Sequence, residues 1–266
     1  MILIAIILGT LTAGIGSVWL AAALSFGVLA KYTQHMLSLA AGALLATAFM
    51  HLLPEAFESQ ASAHQLFATL LVGLVFFFLL DKAELWHHGH EHGSGHSHDH
   101  DHDHHHSHHD HGEEPKSGGW AVLAGDSVHC FGDGILIASA FMADMRLGIV
   151  ASLAVLAHEV PHHMGDLVVL RQSSNNNQRA AIVKVSMAGA VTALGGVLGY
   201  LLVEQLYDFL PFFLILASSS FVYVALADLI PQLQKRANPR ETAAQIAWLL
   251  AGIGLVTLIS GVAHSH

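Results

Sequence analysis

Apolar residues fill this chain in eight blocks, separated by short polar breaks and one long one. The blocks fall at approximately 2–29, 36–55, 64–86, 119–142, 147–171, 180–204, 208–232 and 242–263. As helices rising ~1.5 Å per residue, each is long enough to cross roughly 30 Å of hydrocarbon. The expected fold class is all-α, a polytopic membrane protein of eight transmembrane helices. It divides into 1–86 with three helices, 87–118 as a polar connection, and 119–266 with five more. The first block begins at residue 2 without a charged leader region or a convincing cleavage site, so it reads as a retained span. Gly195 and Gly199 in the sixth block form a GxxxG pair, which permits close helix contact.

Composition supports this plan. Hydrophobic residues make up 53% of the chain and charged residues 11%, whereas soluble domains carry about 25% charged residues. The only cysteine, Cys130, excludes an internal disulfide. A formal charge of −10 identifies no partner, and nothing points to nucleic acid. The ten basic residues are more informative. Lys31, Lys82, Lys116, Arg171, Arg179, Lys184, Lys235, Arg236 and Arg240 all flank odd-numbered connections, and only Arg146 lies in an even-numbered one. That asymmetry puts the odd connections in the cytoplasm and both termini outside. A compact chain without a large external domain or sorting signal points to a bacterial inner membrane, with an organelle membrane as the alternative.

The third connection is of low complexity. Fourteen of the 23 histidines lie between His87 and His111, mixed with Asp, Gly and Ser. Such a segment cannot bury a core, and without metal it is expected to be disordered. Neutral imidazoles make it a weak, multivalent ligand for zinc-like ions.

The fifth block carries ionisable residues where lipid disfavours them. His158-Glu159-Val160-Pro161-His162 sits in the apolar run Leu147–Leu170 and continues through His163 to Asp166. Each charged side chain at mid-membrane costs about 2.5–3.5 kcal/mol on insertion scales, so such residues face a cavity, a partner or an ion. His158 and His162 share a helix face, with Asp166 one turn on. Pro161 has no N–H to offer the Ala157 carbonyl, so a bend is expected there.

The fourth block supplies the other half. Asp126, His129 and Asp133 are spaced i, i+3, i+7 and share a face. In a hairpin turning near residue 145, Asp133 lies level with His158, His129 with His162, and Asp126 with Asp166. The result is a ladder of ligands descending towards the cytoplasmic side. His129, Asp133, His158 and His162 form a nitrogen–oxygen shell suited to Zn²⁺ or another borderline divalent ion. Cys130 and Glu159 sit one residue round, and with Asp133 and His162 as bridges they build an adjacent second site. A closed structural metal site is the plainer alternative.

These residues resemble a known family. The HExPHxxGD pattern at 158–166, with GDxxHxxxDG at 125–134, is similar to the ZIP (Zrt/Irt-like) metal transporters, in the subfamily whose fifth helix carries that signature. His51-Leu52-Leu53-Pro54-Glu55 and Val222-Tyr223-Val224-Ala225-Leu226-Ala227-Asp228 match further pieces. The resemblance implies uptake of Zn²⁺, and by extension Fe²⁺, Mn²⁺ or Cd²⁺, into the cytoplasm, in a homodimer. It also implies a binuclear site: His129, Asp133, His158 and His162 for one metal, and Cys130, Asp133, Glu159 and His162 for the other. The metal is cargo, and no catalytic cofactor is implied. Helices one, four, five and six of such proteins are thought to move against two, three, seven and eight. Departures are Cys130 where Asn is usual, His163 where Glu is common, Ala157 for a frequent Cys, and Thr192 where many relatives have a carboxylate.

Two other classes compete. His158, Glu159 and His162 satisfy HExxH, the zinc-and-base motif of a metalloprotease, here within the membrane; the surplus of ligands and the internal proline disfavour it. A metal receptor or store without transport is the other. His163, Asp126 and Asp166 are secondary pathway residues. His51 and Glu55 are positioned for a way in, and Asp228 for a way out.

Overall fold

The computed structural model describes residues 1–25, 33–89, 118–174, 176–234 and 238–264. The histidine-rich connection from 90 to 117 lies outside them. The helices are α1 (Ile2–Leu24), α2 (Thr33–Phe57), α3 (Ala63–Gly89), α4 (Gly118–Ala143), α5 (Met145–Ser173), α6 (Gln178–Gln205), α7 (Tyr207–Leu233) and α8 (Pro239–His264). Among the described residues six helices, all but α4 and α5, are long and apolar enough to cross a membrane. At 26 and 29 residues α4 and α5 are long enough to span, but they carry the polar residues singled out above.

Local chemistry sets several helix starts. Ser62 and Gln65 cap α3 reciprocally, the Ser62 hydroxyl accepting from Gln65 N–H and the Gln65 carbonyl from Ser62 N–H. Asn238 and Glu241 do the same for α8, with Pro239 in its first turn. Asp144 is the only residue between α4 and α5; its carboxylate accepts from Arg146 N–H at 2.8 Å and Leu147 N–H at 3.3 Å. This single-residue joint makes the α4–α5 hairpin tight.

The bundle has two packed halves. In one, α4 packs most extensively on α6, and α1 on α5 and α6; in the other, α2 packs on α8 and α3 on α7. Small residues set the spacing. Gly14 meets Gly189 backbone to backbone, Gly195 the Phe131 carbonyl, Gly42 the Leu249 carbonyl and Gly252 the Leu39 carbonyl. Buried hydroxyls of Thr10, Ser139, Ser152 and Ser218 donate to the carbonyl four residues back, so they bring no unpaired donor inside. Large apolar side chains such as Leu8, Trp19, Leu71, Val72, Leu250 and Leu258 point outward, as a surface solvated by lipid tails requires.

A side chain at the α4–α6 contact has nowhere to go. Gly195→Ala would press its methyl onto the Phe131 backbone and is expected to destabilise the protein by about 1–3 kcal/mol. Gly254→Ala, with open space around it, should be neutral or stabilising by up to about 1 kcal/mol. Thermal unfolding of both variants in detergent distinguishes them.

Candidate metal centre

On α4 and α5 the ligating residues form two stripes at i, i+4 spacing, one residue apart around each helix. His129 and Asp133 make the first stripe of α4, and Asp126 and Cys130 the second. On α5, His158 and His162 are followed one residue later by Glu159 and His163. A step of one residue turns the helix by about 100°, so the two stripes look in different directions. The hairpin thus builds two adjacent clusters.

The first cluster contains His129, Asp133, His158 and Glu159. His158 Nε2 lies 3.2 Å from Asp133 Oδ2 and 3.3 Å from Glu159 Oε1. His129 Nε2 lies 3.2 Å from the same Glu159 oxygen, 3.4 Å from His158 Nε2 and 3.9 Å from Asp133 Oδ2. Ligands held about 2.0–2.2 Å from a tetrahedral Zn²⁺ stand about 3.3–3.6 Å apart, so all of these separations but the 3.9 Å one match the frame of such an ion. Asp133 Oδ2 and Glu159 Oε1 are buried and accept no hydrogen bond, close as the imidazoles are. Acceptors converging without a donor call for a cation. His158 Nδ1 lies 3.3 Å from the Ala154 carbonyl, an arrangement in which Nδ1 carries the proton and Nε2 offers its lone pair.

The second cluster contains Asp126, Cys130, Glu159 and His163. Glu159 belongs to both: Oε1 faces the first and Oε2 lies 3.0 Å from His163 Nε2. The third group, Asp126, His162 and Asp166, lies towards the far end of the hairpin. His162 Nδ1 is 3.2 Å from Asp166 Oδ2 and 3.7 Å from Asp126 Oδ1, and its ring stacks on His129 with centroids 5.4 Å apart.

The structure therefore brings all six primary candidates together, with Asp126, His163 and Asp166, but groups them differently from the sequence expectation. Asp133 and His162 were expected to bridge; Glu159 occupies that place. His162 joins Asp126 and Asp166 rather than the first cluster, and His163, expected only as a secondary residue, enters the second. Height along the hairpin is readable from residue counting, whereas rotation about each helix decides which neighbours meet. Applying 100° per residue to both helices would have found the Asp126–Cys130 and Glu159–His163 stripes. Ser17 of α1, whose Oγ lies 3.0 Å from His163 Nδ1, carries no sequence signal at all.

A cavity of about 440 Å³ opens from the first and third groups, past Asp126, His129, His158, His162 and Asp166, to Asp81, Asp228 and Gln232. It faces the end of the bundle where α3 leads into the histidine-rich connection. Tyr223 donates to Asp81 Oδ2 at 3.1 Å, and Gln232 to Asp228 Oδ1 at 2.8 Å. His51 and Glu55 are elsewhere, in a second cavity of about 450 Å³ with Asp144 and Arg146. Val150 lines the second cavity and His158 the first. The eight residues from one to the other rise about 12 Å, and in that interval Ala151, Ala154 and Val155 are fully buried.

The sequence is similar to those of known proteins. The chain is 27% identical over 272 residues to the zinc transporter ZIP13 of Danio rerio, covering 85% of this chain and 76% of that one. The Pongo abelii ZIP13 is 27% identical over 280 residues, covering 96% and 77%. Human zinc transporter ZIP4 is 33% identical over 142 residues, which are 53% of this chain and 21% of that protein. The family model described as ZIP zinc transporter matches residues 1–116 and 82–260. Those matches extend together from residue 1 to residue 260, so the chain belongs to the ZIP zinc transporter family.

Proposed function

We infer that the protein carries Zn²⁺ across a membrane, with His129, Asp133, His158 and Glu159 as the main cargo site. The observation that carries this reading is the placement of that cluster at the inner end of a cavity open towards one end of the bundle. Along α5 the fully buried Ala151, Ala154 and Val155 stand between it and the cavity at the other end. Occlusion on one side and access on the other is the arrangement alternating access requires. Eight spans with both termini outside, as the basic residues indicate, place the open cavity and the histidine-rich connection in the cytoplasm. Zinc then enters past His51 and Glu55, reaches the cluster, and leaves through Asp126, His162 and Asp166 towards Asp228.

The division of the bundle into α1, α4, α5 and α6 against α2, α3, α7 and α8 supports movement of one half against the other. Nitrogen and oxygen donors favour borderline ions such as Zn²⁺, with Fe²⁺, Mn²⁺ and Cd²⁺ as secondary cargo. The histidine-rich connection buffers or senses ions near the exit, and a homodimer is the assembly that goes with the family resemblance. The relatives named above are animal proteins, which gives no support to a bacterial inner membrane; the proposal extends only to an integral membrane location.

A protease reading does not fit as well. The Glu of HExxH has to face a water at an open metal position. Here both Glu159 oxygens point into ligand clusters, the residue is 1% exposed, and it is absent from the cavity wall.

Uptake of zinc into vesicles containing the purified protein tests the transport reading. His158→Ala should reduce flux to roughly a tenth or less, because loss of a direct ligand exceeds the 10–100-fold cost of losing an outer partner. Deletion of 87–111 should leave substantial flux. Flux unaffected by His158→Ala would remove the cluster from the pathway. In equilibrium competition with a zinc-chelating dye, His129→Ala and Asp133→Ala should each weaken binding by about tenfold or more, while His64→Ala, far from the clusters, should not.

A further inference from the structure

Arg146 stands apart from the other basic residues of the chain. The other nine flank odd-numbered connections, and Arg146 alone lies in an even-numbered one, on the outer side in the topology proposed above. The structure places it in the wall of the second cavity with His51, Glu55, Glu58 and Asp144, on the proposed way in for Zn²⁺. A fixed positive charge there opposes the entry of the cargo.

Nothing local accounts for this placement. Arg146 is the second residue of α5, where the free N–H groups of a helix start disfavour a positive charge. Glu55 and Glu58 break the matching rule. They occupy the last turn of α2 and its C-cap, where free carbonyls disfavour a negative charge. Asp144, by contrast, has a duty in the fold as the N-cap of α5. Arg146, Glu55, Glu58 and Asp144 are all exposed, and among the described residues no ion pair or side-chain hydrogen bond holds Arg146. Its charge is therefore left to act through the water of a cavity of about 450 Å³. Local rules broken without a local gain mark a functional position.

The two kinds of charge also belong to different halves of the bundle. Arg146 is carried by α5, and Glu55 and Glu58 by α2. We propose that Arg146 is a specificity-determining residue of ion entry, a tethered cation that offsets the pull of Glu55 and Glu58 and so sets the concentration at which the transporter fills. The energy is proportional to the charge of the passing ion, so a dication feels it twice as strongly as a monovalent one. Twelve residues, about 18 Å of helix, separate Arg146 from His158, so it acts on capture and leaves the cluster's own affinity alone. The proposal rests on the transport reading.

Zinc uptake into vesicles containing the full chain is measured over a range of zinc concentrations. Arg146→Gln should lower KM by about three- to tenfold with the maximum rate unchanged, the effect of one charge on a dication across ~6–12 Å of water. Arg146→Lys should keep the wild-type KM. The difference between Arg146→Gln and wild type should shrink as sodium nitrate is raised from ~0.01 M to ~1 M, because the screening length falls from ~30 Å to ~3 Å. Arg146→Cys adds an exposed thiol to a chain whose only other thiol, Cys130, is fully buried. Disulfide-forming reagents bearing a trimethylammonium or a sulfonate group then put either charge on one folded protein. KM should be higher in the ammonium form than in the sulfonate form, and a reducing agent should erase the difference. Equal KM in the two forms, an effect confined to the maximum rate, or a KM that changes as much in Arg146→Lys as in Arg146→Gln overturns the proposal while leaving transport intact. A wild-type protein that carries no zinc defeats the transport reading, and this inference with it.

Discussion

Three carboxylates with almost no exposure to water, Asp126, Asp133 and Glu159, sit among imidazoles inside an otherwise apolar bundle. The rest of the structure depends on making that tolerable. Buried carboxylates that lack partners cost several kcal/mol each, and the oxygens Asp133 Oδ2, Glu159 Oε1 and Asp126 Oδ2 accept no hydrogen bond. A divalent cation between them supplies the missing charge and the missing partner together. Holding ligands within a few tenths of an ångström of tetrahedral separations requires a rigid frame. The one-residue joint at Asp144 fixes the height of α4 against α5, and the glycines of α6 let α4 sink until backbone meets backbone.

What could be read from the sequence follows from this frame. The blocks of apolar residues and the periodicity of His158, His162 and Asp166 required no knowledge of neighbouring helices. The hairpin count also brought the correct residues level: Asp133 approaches His158, and the His129 and His162 rings stack. Lateral grouping was not legible in the same way, because each i, i+4 stripe is shadowed by another one residue away. His163 reaches Ser17 of α1 and Glu159 meets His129 and Cys130 of α4, while His158 and His162 face the cavity. Only packing against α1, through a serine indistinguishable in sequence from any other, reveals that second direction.

The helices that flank the cavities share a device. In α2 a wide π turn covers Ala48–Leu52, three residues carry the chain from His51 to Pro54, and Leu53 N–H reaches back to the Ala48 carbonyl. In α7 the π turn covers Val224–Leu229, Asp228 precedes Pro231 by three, and Ile230 N–H reaches the Ala225 carbonyl. A proline removes one donor from the ladder, and the wider turn reassigns the carbonyls upstream of it. Each turn presents a polar residue, followed by another four residues on: His51 with Glu55 in one cavity, Asp228 with Gln232 in the other. The same local solution thus serves opposite ends of the bundle.

Exposure along the ladder gives the site its direction. His158 and Asp133 are nearly sealed, with side chains 2% and 3% exposed, whereas His129, Asp166 and His162 reach 24%, 13% and 37%. A hydrated ion cannot shed all its water at once without a large loss of solvation. Ligands that are partly wet exchange with water one at a time, and those that are sealed complete the shell. Asp126 sits within reach of His162 and Asp166 while also touching Cys130 and His163. One carboxylate therefore stands where the exchanging and the closed ligands meet, so ions leaving through the cavity pass a charge that the neighbouring pocket already shares.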